Sequence, residues 1–189
     1  MGNLNETPSA NRLHIGIYGK TNSGKSSLIN AVTKQEVSIV ADVAGTTTDP
    51  VYKPMEIHPL GPCVIIDTAG FDDDSELGER RVEKTHLAAE KTDIAVVVLD
   101  IAEVIAAKKA GVPFKKAFKD EAEWSLLFAK KHTPVVFALN KIDEILLSAE
   151  AQEKSSGKLD NAAIEAAKSW VYEENSAVMG KNADNSFEV

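Results

Sequence analysis

The segment Gly19-Lys20-Thr21-Asn22-Ser23-Gly24-Lys25-Ser26 constrains this chain more than any other stretch. It fits G-x-x-x-x-G-K-[ST] without a mismatch, and its setting decides what the match means. Leu13–Tyr18 alternates apolar residues and predicts a strand, while Ser26–Val32 predicts a helix. A glycine-rich turn between the two aims successive backbone N–H groups at one point. The helix start adds the positive end of its dipole. Phosphate oxygens suit such a cradle. Lys25 would set a point charge on the β- and γ-phosphates, and the Ser26 hydroxyl would offer an oxygen to Mg²⁺. Ser23, Gly24 and Ser27 complete the predicted phosphate contacts. An ordinary turn before a helix is the bland alternative, and the flanking pattern argues against it.

Two further motifs follow in chain order. Asp67-Thr68-Ala69-Gly70 ends the apolar run Cys63–Asp67. A carboxylate there can hold Mg²⁺, and Gly70 can bring its N–H close to a γ-phosphate because it has no side chain. Alone, the pair is only an Asp-to-Gly turn; some forty residues after a phosphate loop it reads as a γ-phosphate sensor. Asn140-Lys141-Ile142-Asp143 follows the strand expected at Pro134–Asn140. Asp143 can accept from guanine N1–H and the exocyclic amine, donors that adenine lacks at those positions. A site built on such bonds rejects the wrong base by leaving buried polar groups unpaired. The Lys141 stem can cover the base.

Between the motifs, strands alternate with helices. Val51–Ile57 reads as an edge strand because Pro54 lacks a ladder donor. Ile94–Asp100 is apolar on both faces, as buried parallel strands are. Glu79–Lys91 and Glu144–Lys154 have helical composition. Phe114, Phe118, Ala122 and Leu126, with Trp124 and Phe128 beside them, predict one continuous amphipathic helix. Asp160–Trp170 predicts a helix capped by Asp160 or Asn161, and the residues beyond it are weakly patterned. This order implies an α/β fold, three layers α/β/α around a mostly parallel sheet.

The three motifs in this order resemble the Ras-like P-loop GTPases. Asn22 in the loop and Gly45-Thr46-Thr47 beyond it are similar to the potassium-activated group that includes Era, Der and MnmE. Residues 5–100 resemble the GTPase domain of the HydF family, the [FeFe]-hydrogenase maturation GTPases. Arg12–Gly16, Gly45–Lys53, Gly61–Val64 and Gly78–Thr85 carry that resemblance, which returns at Pro134–Asp143. It implies GTP and GDP as ligands, with Mg²⁺ and K⁺ as cofactors. Thr47 would meet Mg²⁺ and the γ-phosphate, with Thr46 and Thr48 as neighbouring alternatives. Asn22 would ligate K⁺, and Ser176-Ala177 would match the last guanine-contacting loop. The implied catalytic set is Lys25, Thr47, Asp67 and Gly70. Phe71 stands where Ras-type enzymes carry a water-orienting glutamine, so hydrolysis would be slow without K⁺. Implied partners are the dimerisation and iron–sulfur domains of a full-length protein and hydrogenase maturation proteins. A non-hydrolysing nucleotide-binding module, or a GTPase of tRNA modification or ribosome assembly, is the alternative.

Composition bounds these readings. At 189 residues, one globular domain is expected over 13–189, after a mobile arm at 1–12. Its C-terminal helix is expected to be atypical or missing, because residues 101–132 and 144–189 depart from the family pattern. With 21 basic and 29 acidic residues, the charge of −8 argues against broad nucleic-acid binding. Lys108, Lys109, Lys115, Lys116 and Lys119 therefore read as a solvated helix face, and Asp72–Asp74 as a solvated loop. No run is long and apolar enough for a membrane span, and without a basic-then-apolar stretch at the start no secretory signal is expected. Cys63 is the single cysteine and reads as core, so a cytoplasmic location is expected.

Overall fold

The alternation in Leu13–Tyr18 becomes β1, which sends Ile15 and Ile17 to one face of a sheet and Tyr18 to the other. The computed structural model describes residues 12–34, 50–68, 85–145 and 157–179. In chain order these form β1 (Leu13–Tyr18), α1 (Lys25–Lys34), β2 (Val51–Ile57), β3 (Gly61–Asp67), and α2 (residues 85–90). There follow β4 (Ile94–Asp100), α3 (Ile101–Lys109), α4 (Phe114–Ala117), α5 (Lys119–Lys130), β5 (Val135–Asn140), α6 (residues 142–145) and α7 (Gly157–Met179). The sheet order is β2-β3-β1-β4-β5. Only β2 is antiparallel, and it lies at the edge, where Pro54 is tolerated. The other pairings are parallel, so the carboxyl ends of β1, β3, β4 and β5 emerge together.

Each face of the sheet has its own core. Ile29 of α1 packs with Ile15, Ile17, Met55, Cys63, Ile65 and Val98. Val97 and Leu99 point the other way, towards Tyr18, Phe114, Phe118, Trp124, Phe128, Phe137, Ile164, Ala167 and Val171. Tyr18 is fully buried; its hydroxyl sits 2.6 Å from Thr92 Oγ1, and burial pushes its pKa up to about 12. Gly16 makes room for that ring: a Cβ there would stand 2.5 Å from Tyr18 Cε2 and 2.7 Å from Thr92 Oγ1.

Two helical expectations change. The stripe Phe114–Leu126 is not one helix. The backbone breaks at Phe118 (φ −124°, ψ 58°), so α5 restarts in a new register. Glu121, Ala122, Trp124, Ser125 and Phe128 then face inward, and Leu126 turns out to 38% exposure. At the C-terminal end, α7 starts at Gly157, ahead of the expected cap, and runs 23 residues to Met179. Ile164, Ala167 and Val171 form its inner face, which the buried Asn175 extends by donating from Nδ2 to the Val171 carbonyl at 2.9 Å. That polar residue hides the continuation from a reading of apolar periodicity. Helix α7 packs on α3, α5 and β5, and Lys108 Nζ donates to the Ala166 carbonyl at 2.6 Å. Helix α7 thus covers this flank of the sheet. Residues 1–11, 35–49, 69–84, 146–156 and 180–189, including Thr47 and Gly70, lie outside the described residues.

Candidate nucleotide-binding site

The phosphate loop links β1 to α1 at the carboxyl edge of the sheet. Asn22 stands in the left-handed region (φ 62°), and Ser23 N–H closes the turn on the Lys20 carbonyl at 3.3 Å. Gly24 (φ 92°) lies under the Asn140 side chain, and a Cβ there would collide with the Asn140 amide. Lys25 is 7% exposed and donates from Nζ to the carbonyls of Gly19 (2.8 Å) and Lys20 (2.6 Å). Its ammonium is held inside the curve of the loop. Asn22, Ser26 and Ser27 are exposed at the mouth.

Asp67 ends β3 in register with Ile17 of β1. Burial raises its carboxyl pKa, an effect opposed by the charges of Lys53 and Lys25. The next residue fixes the strand end, for Thr68 Oγ1 donates to the Ile17 carbonyl at 2.6 Å. Ser26 and Asp67 are hard oxygen donors, the set Mg²⁺ takes when it keeps waters and shares phosphate ligands. These residues fit that ion.

The segment Asn140–Asp143 leaves the sheet at β5. Asn140 Nδ2 donates to the Ser23 carbonyl at 3.0 Å and so ties this segment to the phosphate loop. Lys141 takes a left-handed conformation (φ 63°), and Glu144 N–H bonds the Lys141 carbonyl at 3.1 Å, which starts α6. Asp143 lies exposed on α6. Lys141 Nζ pairs with Asp100 Oδ2 at 2.7 Å, and that bond raises the lysine pKa. Asp100 was not among the residues singled out from sequence. It caps α3 by accepting from Ala102 N–H at 2.8 Å, and it sits opposite Asn140 in the β4–β5 register. An acid at the end of a buried strand was the available signal, the same one that marked Asp67.

Ser176 does not join this group. It lies inside α7, exposed, with Oγ donating to the Glu173 carbonyl at 3.2 Å, and Ala177 is in the same helix. The expected guanine-contacting loop is helical here, and a helix interior commits its backbone N–H groups to its own ladder.

A phosphate loop, a strand-end acid and an Asn-Lys-x-Asp segment at the carboxyl edge of a mostly parallel sheet define a Ras-like P-loop nucleotide-binding domain. Residues 14–141 match the family described as 50S ribosome-binding GTPase. The chain belongs to that family, as a G domain of the Era/Der/MnmE type. Similar proteins include GTPase Der of Mycoplasmopsis pulmonis, 54% identical over 65 residues (34% of this chain, 15% of that protein). The tRNA modification GTPase MnmE of Laribacter hongkongensis is 34% identical over 132 residues (69% of this chain, 26% of that protein). The matched part therefore spans a minor share of either relative. Among solved structures, an Era variant of Aquifex aeolicus bound to GDP and aluminium fluoride superposes with a TM-score of 0.54. It is 23% identical and covers 87% of this chain and 48% of its own, which supports the fold. Among the described residues, no helix is long and apolar enough to cross a membrane.

Proposed function

We propose that this chain is a K⁺-stimulated GTP-hydrolysing switch that serves [FeFe]-hydrogenase maturation. The observation that carries the nucleotide chemistry is the Asn140–Ser23 bond, which holds the base-reading segment against the phosphate loop. One nucleoside di- or triphosphate would then meet both at once. Lys25, released from the Gly19 and Lys20 carbonyls, would place its charge on the β- and γ-phosphates, where negative charge shifts as the γ-phosphoryl transfers to water. The loop N–H groups orient the phosphates, Ser26 and Asp67 hold Mg²⁺, and Asp143 selects guanine. Bound Mg²⁺ neutralises phosphate charge. Asn22, exposed at the mouth in its left-handed turn, is the candidate K⁺ ligand. Thr47 and Gly70 complete the proposed set as γ-phosphate contacts.

Phosphate release from Mg·GTP in KCl and in NaCl at equal ionic strength tests this reading. Faster turnover in K⁺ supports it. Equal rates remove the Asn22 role, and tight GDP binding without turnover in either salt makes the chain a non-hydrolysing module. The hydrogenase role rests on the HydF-like segments at 45–53, 61–64 and 78–85. The MnmE match over 69% of this chain favours a second reading, tRNA modification. Deletion of the gene separates the two: immature hydrogenase supports the first, hypomodified tRNA the second.

A further inference from the structure

Beside the phosphate loop lies a cavity of about 60 Å³ whose wall includes Lys20, Asn22, Ser23, Glu103, Phe118 and Glu121. Glu121 is 1% exposed, and its Oε2 has no hydrogen-bond partner among the described residues; the same is true of Ser23 Oγ, 5% exposed. A buried carboxylate is costly unless charge or hydrogen bonds meet it. Burial raises the Glu121 pKa; its own backbone N–H and the charge of Lys20 oppose that rise, Asp120 and Glu103 add to it, and the residue sits in the N-terminal turn of α5. Lys20 in turn reaches the α4–α5 junction. Its Nζ stands 5.3 Å from the centre of the Phe118 ring and 3.5 Å from the Ala117 carbonyl. The break at Phe118 is what turns α5 so that Glu121 faces this cavity. Asp100 and Glu103 also border it, but no cluster of acids, histidines or cysteines among the described residues could hold a metal ion.

We infer that Glu121 is a positioning residue for nucleotide binding, anchoring Lys20 to the α4–α5 junction and so holding Lys20–Ser23 in the turn on which the phosphate loop is built. The cavity has room for ordered water between Glu121 and Ser23, since one water needs about 10–15 Å³. This inference rests on the proposed nucleotide site and deepens it. Glu121 acts through Lys20 and touches no nucleotide.

The test is a double-mutant cycle in the full chain, with Mg·GDP as the probe, read by affinity and by thermal midpoint without nucleotide. Glu121→Gln weakens GDP binding about five- to ten-fold, and Lys20→Met does the same. The double variant is no worse than either single one, and the midpoint of Glu121→Gln stays level or rises, as a buried charge has been removed. Lys20→Arg retains affinity. Additive losses overturn the inference, as does unchanged affinity with a lowered midpoint, the signature of a residue that only stabilises the α5 start. If Glu121→Gln fails to fold, Lys20→Met and Lys20→Arg still decide: equal affinity in the two overturns it. Wild-type protein that binds no GDP would instead overturn the nucleotide site itself.

Discussion

The two ends of the proposed nucleotide site are built differently. At the phosphate end, eight consecutive residues supply the turn, the donors and the lysine, and Lys25 bonds carbonyls only five and six positions away. At the base end, Asn140 reaches a residue 117 positions earlier and Lys141 one 41 positions earlier. The phosphate end is thus shaped by its own backbone, while the base end is held by partners that only the sheet brings near. One consequence is that the base-reading segment also braces the phosphate loop. A change at the base end therefore has two distinct ways to weaken binding.

The largest effect is expected at Gly24. Gly24→Ala puts a Cβ against the Asn140 amide and strains a backbone at φ 92°. It should cut affinity for GDP and for any nucleoside diphosphate by about 100-fold or more, a cost in line with local strain of about 1–3 kcal/mol plus lost contacts. Isothermal titration would show it, and unchanged affinity would remove Gly24 from the brace. A pair of base-end variants sharpens the contrast. Asn140→Ala loses the bond to the Ser23 carbonyl, worth about 0.5–1.5 kcal/mol, so GDP and inosine diphosphate should weaken alike by a few-fold. Asp143→Asn should weaken GDP selectively and favour xanthosine diphosphate, whose base presents a carbonyl where guanine presents an amine. Equal base selectivity in both variants would merge the two roles.

The smallest effect concerns Asp67. Burial raises its pKa in the folded chain, so its contribution to stability is fullest below the unfolded pKa and is lost as pH rises through the folded one. Asp67→Asn should therefore melt slightly higher than wild type at neutral pH and equally at low pH. Mg²⁺ dependence of nucleotide affinity should run the other way: it needs the ionised carboxylate, fades as pH falls through the raised pKa, and is absent in Asp67→Asn. A melting point lowered at neutral pH would show that Asp67 is stabilised by Lys25 and Lys53 more than burial costs it.

Much of this was legible in sequence because it is local. Strands Leu13–Tyr18, Val51–Ile57 and Ile94–Asp100 have the bounds their patterns gave, and Pro54 placed β2 at an edge. The errors share a cause. Periodicity counts residues along one helix, so it carried a single stripe through Phe118, where the chain turns, and stopped at Trp170, where a buried Asn175 takes over from apolar residues. Ser176 was placed by resemblance in a loop that the same continuing helix occupies.

The phosphate-loop turn, the strand-end acid and the Asn-Lys-x-Asp segment follow from the residue order alone, because glycines, a lysine and an acid after an apolar run impose their geometry within a few residues. Tertiary structure alone decided how those pieces brace one another. Asn140 on Ser23, Asp100 under Lys141 and Lys20 over the Phe118 ring are pairings between distant positions. Their existence depends on sheet register and on one break in a helix, neither of which any short stretch of residues encodes.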